Sequence, residues 1–135
     1  FFLNSSLIGI LIFFSVVLSP LIFRTLEKHQ SSKLIRKIFP ILFSTGLFLS
    51  IITLLISITY NLENIIILSL INIICFLINL IYFVPKINKI SDMESREKKD
   101  KKFKFIIYHS LSVGIYILSL LISILIITRN SLFNI

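Results

Sequence analysis

Residues 38–84 read IFPILFSTGLFLSIITLLISITYNLENIIILSLINIICFLINLIYFV, and this stretch decides the fold class. Its only charged side chain is Glu63, which stands in a short polar turn at residues 61–64 between two apolar segments. Each segment, 38–61 and 64–84, has about the 20 residues with which an α-helix crosses ~30 Å of hydrocarbon. Because the turn is so short, we predict that the two segments form an antiparallel pair of transmembrane helices.

Two further apolar stretches, at residues 3–23 and 105–128, flank this helical pair and contain no Lys, Arg, Asp or Glu. Of the 135 residues, 56% are hydrophobic and the mean hydropathy is +1.01, whereas soluble domains average about 45–50% apolar residues. We therefore predict an all-α membrane protein, a four-helix transmembrane bundle with left-handed antiparallel packing. It forms a single domain over residues 1–135, with helices at about 3–23, 38–60, 65–84 and 104–128 and loops at 24–37 and 85–104.

The distribution of basic residues predicts the orientation in the membrane. Five Lys or Arg residues lie in the loop 24–37 and eight lie in the loop 85–104, whereas the turn 61–64 has none. Loops rich in Lys and Arg stay in the cytoplasm, so we expect both loops there and both termini outside it. We expect a multi-pass protein of the plasma membrane, or of the inner membrane in a bacterium. The first apolar stretch lacks a basic start and is longer than a signal peptide's apolar core, so we expect it to be retained.

Three prolines mark the cytoplasmic ends of the predicted helices. Pro20 is expected to kink the end of helix 1, because its ring removes a backbone hydrogen bond. Pro40 suits the first turn of helix 2, where a missing N–H would be unpaired in any case. Pro85 is expected to stop helix 3.

Polar side chains recur at heptad spacing along the predicted helices. Where lipid surrounds a helix, small and hydrogen-bonding side chains mark the faces that pack, and heptad spacing is typical of left-handed bundles. We define a polar seam between helices 3 and 4 as Asn72, Cys75, Asn79, Tyr82, His109, Ser112 and Tyr116. At matched depth the predicted pairs are Asn72 with Ser119, Cys75 with Tyr116, Asn79 with Ser112 and Tyr82 with His109, and, between helices 1 and 2, Ser15 with Ser50 and Ser19 with Gly46. The seam is interpreted either as packing between helices or as the wall of a polar cavity.

His109 is the one histidine inside a predicted span, and ionisable residues within membranes are functional candidates by default. It lies five residues, or ~7.5 Å along a helix, from Lys104 at the cytoplasmic end. Its polar ring can therefore snorkel toward the headgroups. Three interpretations stay open: a packing or snorkelling histidine, a ligand of haem or metal, and a group that handles protons or substrate.

Motifs for enzymatic chemistry are missing from the sequence. No predicted span contains a carboxylate, and there is no His-x-x-His, no Cys-x-x-Cys and no glycine-rich phosphate loop. We therefore assign no catalytic residue and no metal ligand set, and a protein that is not an enzyme is favoured. The net charge is +8, and most of the Lys and Arg residues lie beside the predicted spans. This placement indicates anionic lipid headgroups rather than nucleic acid as partners. A homo-oligomer or a larger membrane complex stays open.

Four stretches of the chain resemble a known family: IGILIFFSVVLSPLIFRTL at 8–26, KIFPILF at 37–43, VPKIN at 84–88 and FIIYHSLSV at 105–113. They are similar to the small four-helix membrane proteins that include transmembrane protein 205, described as a domain of unknown function. The resemblance stresses Gly9, Phe13, Pro20, Phe23, Phe39, Pro40, Pro85, Asn88, His109 and Ser112. The family often has Asn one heptad after its helix 4 histidine, where this chain has Tyr116. A looser resemblance to four-helix proteins linked to copper uptake or haem biosynthesis implies a metallic role for His109.

Three hypotheses for function follow. The leading one is a polytopic membrane protein without catalytic activity of its own, an accessory or lipid-interacting unit that uses its basic loops and helix faces. The second is a haem- or metal-binding redox protein with His109 as ligand. The third is a small-molecule or ion permease that uses the polar seam.

Overall fold

The chain forms four long helices in a computed structural model that describes residues 2–92 and 98–133. The helices are α1, Phe2–Thr25; α2, Lys28–Thr59; α3, Glu63–Asp92; and α4, Lys98–Phe133. Each is long and apolar enough to cross a membrane, and the described residues contain no strand. The predicted all-α, four-helix transmembrane class is confirmed, while the handedness of packing stays a prediction.

The helices run well past the predicted bounds. The structure starts α2 at Lys28 instead of 38, extends α3 to Asp92 instead of 84, and starts α4 at Lys98 instead of 104. Most of the two predicted loops, 24–37 and 85–104, is therefore helical. Lys, Arg and Glu are good helix formers, so a cluster of charges marks where a helix leaves the hydrocarbon and not where it ends. Residues 93–97 of the second predicted loop lie outside the described residues.

Wide π-helical turns interrupt α1 at Phe14–Leu18 and α3 at Asn79–Phe83. Each π turn comes just before a proline, Pro20 in α1 and Pro85 in α3, with one residue between. A proline has no N–H and its ring crowds the carbonyl four residues earlier, and a wider turn relieves both problems.

Two proline predictions are therefore wrong. Pro85 does not stop α3, because the helix continues through the π turn to Asp92. Pro40 does not open α2 but lies in its interior, beyond a basic first part of the helix. Pro20 is the second residue of the last part of α1, Ser19–Thr25, which follows the π turn, and the expected distortion of α1 takes the form of this wide turn.

The helices pack as a ring in which α1 contacts α2 and α4, and α3 contacts α2 and α4. The α2–α3 contact is close because Gly46 lies against Phe76: a Cβ added to Gly46 would lie 2.5 Å from the Phe76 ring. The main apolar core fills the centre of the ring and consists of Leu7, Leu11, Phe14, Leu42, Phe43 and Phe76. Large apolar side chains elsewhere are exposed, as expected for surfaces that face lipid.

The predicted pairs between helices 1 and 2 are wrong. Gly46 faces α3 and not Ser19, because it packs against the Phe76 ring. One contact that the structure shows between α1 and α2 is a hydrogen bond of 3.3 Å from Asn4 Nδ2 to Thr53 Oγ1. Ser15, expected beside Ser50, bonds α4 instead.

Candidate functional site

A cavity of about 220 Å³ lies at the end of the bundle that carries the two basic clusters, and all four helices contribute to its wall. We call it the basic-end cavity. Its polar lining residues are Ser15, Ser19, Arg36, Asn88, His109, Ser112 and Tyr116, and its apolar ones are Phe14, Phe39, Phe43, Val84, Ile87 and Val113. The cavity therefore combines one permanent cation, several hydrogen-bonding groups and an aromatic surface.

Aromatic rings form the floor of the cavity. Phe14 meets Phe39 edge-on with ring centroids 5.4 Å apart, and Phe39 stacks on Phe43 at 5.8 Å. Phe43 in turn meets Tyr116 edge-on at 6.3 Å. These are favourable aromatic geometries, and they join α1, α2 and α4 beneath the polar part of the site.

Tyr116 ties α4 to α1 at the floor. Its hydroxyl donates a 2.6 Å hydrogen bond to the Leu11 carbonyl and accepts one of 2.9 Å from the Ser15 hydroxyl. Tyr116 stands where the resembled family often has Asn, and its side chain is long enough to reach α1.

Arg36 is the cation of the cavity wall, and sequence analysis did not single it out. It forms an ion pair with Asp92 at 2.7 Å, which joins α2 to α3 at the basic end. The signal for Arg36 is its spacing: Phe39 and Phe43 follow at three and seven residues, so all three share one face of a helix. Because residues 24–37 are predicted as a loop, the sequence analysis does not place Arg36 on a helix with Phe39 and Phe43.

His109 lies at the rim of the cavity and is exposed. Its ring stacks on Phe105 with centroids 5.5 Å apart and an angle of 7° between the planes. Among the residues that the structure describes, no three His, Cys, Asp or Glu side chains come together as a metal ligand set. As a metal ligand, His109 would therefore contribute a single imidazole nitrogen, outside any such ligand set among the described residues.

The cavity opens sideways between α1 and α4. In the described chain, close backbone contacts between these helices are confined to the Phe2–Phe13 part of α1 and do not continue past its π turn. Ser15, His109 and Val113 line the cavity on this side and are exposed. The exposed side of the cavity between α1 and α4 therefore belongs to the outer surface of the bundle. Phe14 and Ser15 of the π turn in α1 line the wall, and Val84 of the wall directly follows the π turn in α3, a common position for such turns.

The polar seam is partly as predicted. Ser112 Oγ donates to Asn79 Oδ1 at 2.8 Å, and both residues are buried, so this predicted pair is present. Asn72 bonds Ser123 at 3.1 Å rather than Ser119, and Cys75 faces Ser119 rather than Tyr116. Helix side chains lean toward the N-terminus, so those of α3 reach a later residue on antiparallel α4 than a level alignment predicts.

Tyr82 is not part of the seam, and its predicted pairing with His109 is wrong. The π turn at Asn79–Phe83 adds a residue and rotates the next side chains around the helix. Phe83, 8% exposed, takes the inward position and contacts Tyr108 at 6.5 Å between ring centroids, while Tyr82 is 52% exposed.

The residues stressed by the family resemblance fall into three groups. Phe39, Asn88, His109 and Ser112 line the basic-end cavity. Pro20 and Pro85 follow the π turns, and Pro40 lies inside α2. Gly9, Phe13 and Phe23 are exposed on α1, where nothing lies within 4 Å of a Cβ added to Gly9.

A family model described as a domain of unknown function, DUF4149, matches residues 2–96, well over half of the chain. The chain belongs to this family. Comparisons with curated proteins and with solved structures find no match. The matched part of this DUF4149 protein covers α1, α2 and α3, and so includes Arg36, Phe39 and Asn88 of the cavity. The α4 side of the cavity, with His109 and Ser112, lies beyond it.

Proposed function

We propose that this DUF4149 protein is an accessory, lipid-interacting membrane protein that holds the headgroup of an anionic amphiphile in its basic-end cavity. The observation that carries the proposal is a cavity with a guanidinium, hydrogen-bonding side chains and an aromatic floor that opens sideways to the lipid-facing surface. The protein needs no catalytic group for this role.

The chemistry of the wall favours a carboxylate or a phosphate. Arg36 has five N–H donors in a planar fork, which suits bidentate binding of either anion. Asn88, Ser112 and His109 add polar groups around the same space. Such contacts are stronger at the edge of the hydrocarbon than in bulk water, because the effective dielectric constant is lower.

The size of the cavity favours a headgroup over a whole lipid. A volume of 220 Å³ corresponds to roughly seven water molecules at about 30 Å³ each. The acyl part would then lie outside, along the opening between α1 and α4, where Val113 and other apolar side chains meet lipid.

The predicted orientation supports an anionic partner. If the basic end faces the cytoplasm, it meets the leaflet that carries the anionic lipids, and each Lys or Arg near that surface adds about 1 kcal/mol of attraction. As part of the proposal, we place the chain near the proteins related to transmembrane protein 205. Four residues that this resemblance stresses, Phe39, Asn88, His109 and Ser112, share the cavity.

The other two hypotheses have less support from the geometry. A haem in this cavity would have one histidine nitrogen and a volume below the ~300 Å³ at which small-molecule sites begin, so the residues do not fit it. A permease needs a path onward from the cavity, and the buried side chains of Leu11, Phe43 and Phe76 fill the bundle there.

The test compares two arginines at the basic end. Purified protein is titrated with short-chain phosphatidic acid and, separately, with the matching phosphatidylcholine, and binding is followed by native mass spectrometry. Arg36→Gln should weaken phosphatidic acid binding about tenfold or more, the loss of a charged hydrogen bond of about 1.5–3 kcal/mol. Arg24→Gln is the control, because Arg24 is exposed and does not line the cavity. Equal effects of the two substitutions would contradict the proposal.

A further inference from the structure

Three polar atoms in the bundle interior have no hydrogen-bond partner among the described residues. They are Ser50 Oγ, Ser69 Oγ and Asn72 Oδ1, in side chains that are 2%, 0% and 1% exposed. Neither lipid nor bulk solvent reaches atoms buried to this degree. An unpaired polar group in a membrane interior raises the free energy of the folded protein, so a ligand that forms hydrogen bonds with these atoms would stabilise it.

The two serines differ from four other buried hydroxyls of the bundle. Thr53, Ser57, Ser119 and Ser123 each donate to the carbonyl four residues earlier in their own helix, at 2.7–3.1 Å. This local bond is the usual way in which a helical hydroxyl is satisfied. Ser50 and Ser69 do not make it, so their hydroxyls are left without a partner among the described residues.

The register of α2 and α3 places the three residues at neighbouring levels of the bundle. Gly46 contacts Phe76, and α2 and α3 are antiparallel. Ser50 lies four residues after Gly46, and Asn72 lies four residues before Phe76, so Ser50 and Asn72 are at the same level. Ser69 stands one turn from Asn72 on the same face of α3. Ser50 is also near the middle of the apolar segment 38–61, which places this level near the bilayer centre.

Asn72 connects this level to α4. Its Nδ2 donates to Ser123 Oγ at 3.1 Å, which fixes the orientation of the amide and leaves Oδ1 for another partner. The amide oxygen therefore accepts a hydrogen bond from neither α2 nor α4.

We propose that Ser50, Ser69 and Asn72 bind a water molecule at the centre of the bundle. None of the three atoms has a hydrogen-bond partner among the described residues, and a water molecule between them would supply the bond that each lacks. Water accepts from two hydroxyls and donates to an amide oxygen, and buried waters typically make about three hydrogen bonds. A metal cation suits the site less well, because the described residues of the spans at this depth include no carboxylate.

This site is distinct from the basic-end cavity. The Phe76 ring lies one turn from Asn72 toward the basic end and packs with Phe43 at 6.5 Å between centroids. The apolar core around these rings separates the water site from the cavity. Water at this site is therefore independent of lipid binding in the basic-end cavity.

The sign of a stability change tests the proposal. Ser50→Ala and Ser69→Ala are each compared with Ser44→Ala, because Ser44 lies on an exposed face of α2 and corrects for helix propensity. If the water bridges the three groups, each core variant leaves it under-bonded, and Tm in detergent falls by about 3 °C or more relative to the control. A Tm equal to or above that of the control would overturn the proposal, since removing an unpaired hydroxyl relieves a penalty.

A second measurement detects the water directly in the unmodified protein. In water-edited solid-state NMR spectra of the protein in bilayers, magnetisation from water should reach Ser50, Ser69 and the Asn72 side chain. Ile71 and Ile74 of α3 face lipid and serve as internal controls at the same depth. Transfer to the three polar residues no greater than to these isoleucines would overturn the proposal.

Discussion

At the scale of single residues, Gly46 makes a close contact with Phe76 between α2 and α3. The ring is fully buried, and a Cβ at position 46 would lie 2.5 Å from it. Small residues at helix contacts in membranes allow backbones to approach closely, and here the approach sets the register of α2 on α3. The polar layer at Ser50 and Asn72 depends on that register.

Gly46→Ala is therefore expected to destabilise the protein by about 1–3 kcal/mol, the usual effect of overpacking. Gly114→Ala is the matched control, because nothing lies within 4 Å of its added Cβ. Alanine there is expected to leave stability unchanged or to raise it by about 0.5–1 kcal/mol. Both variants are measured by thermal unfolding in the same detergent. A tolerated Gly46→Ala would contradict the α2–α3 register.

Tyr116 offers a second test at this scale. Tyr116→Phe keeps the ring against Phe43 but removes the hydrogen bonds to Leu11 and Ser15. Hydrogen bonds between membrane helices contribute about 0.6 kcal/mol each, so a loss of about 1 kcal/mol is expected in chemical unfolding. Tyr60→Phe, in an exposed position, should have no effect. An equal response of the two variants would argue against the tie between α1 and α4.

Asp92 bears on the charge of the cavity. Asp92→Asn removes the carboxylate that Arg36 contacts at 2.7 Å and leaves the guanidinium free for an anion. We expect phosphatidic acid to bind a few-fold more tightly, because exposed ion pairs contribute only about 0–1 kcal/mol. The phosphatidylcholine titration should not change. Weaker binding of phosphatidic acid would mean that Asp92 positions Arg36 and does not compete with the ligand.

At the scale of helices, the two π turns determine which side chains face the site. The turn in α3 brings Phe83 inward and Tyr82 outward, and the turn in α1 comes where α1 and α4 separate. The length of the apolar runs predicts the four spans. Heptad spacing predicts the pair Asn79 with Ser112, because that pair depends only on the regular period of the helices. Which side chains face inward after a π turn cannot be predicted in this way, because the residue that the π turn adds shifts the helical period. Arg36 cannot be predicted in this way either, because charge alone does not say whether a helix continues.

The π turn in α3 can be tested by cysteine labelling. In a Cys75→Ala background, Tyr82→Cys is expected to react with a membrane-soluble maleimide and Phe83→Cys to stay protected, because only position 82 faces lipid. An uninterrupted α-helix would place position 82 on the seam and give the opposite result. Reactivity at both positions after denaturation controls for the reagent.

At the scale of the whole molecule, a ring of four helices encloses an apolar core with polar groups on either side of it along the bundle. One polar region is the basic-end cavity, and the other is the layer around Asn72. The predicted orientation assigns the basic end to the cytoplasm. In a Cys75→Ala background, Lys99→Cys should resist a membrane-impermeant maleimide added to intact cells, whereas Asn64→Cys, in the opposite turn, should be labelled. The reverse pattern would refute that orientation.

The anionic amphiphile proposed for the basic-end cavity is expected to enter through the opening between α1 and α4. The most direct measurement is photo-crosslinking in vesicles with a phosphatidic acid analogue that carries a diazirine beside its headgroup, followed by mass spectrometry of the adducts. Adducts are expected to concentrate at Ser15, His109 and Val113 and to fall in Arg36→Gln but not in Arg24→Gln. Adducts spread evenly over exposed positions such as Ile67 and unchanged by Arg36→Gln would contradict the claim.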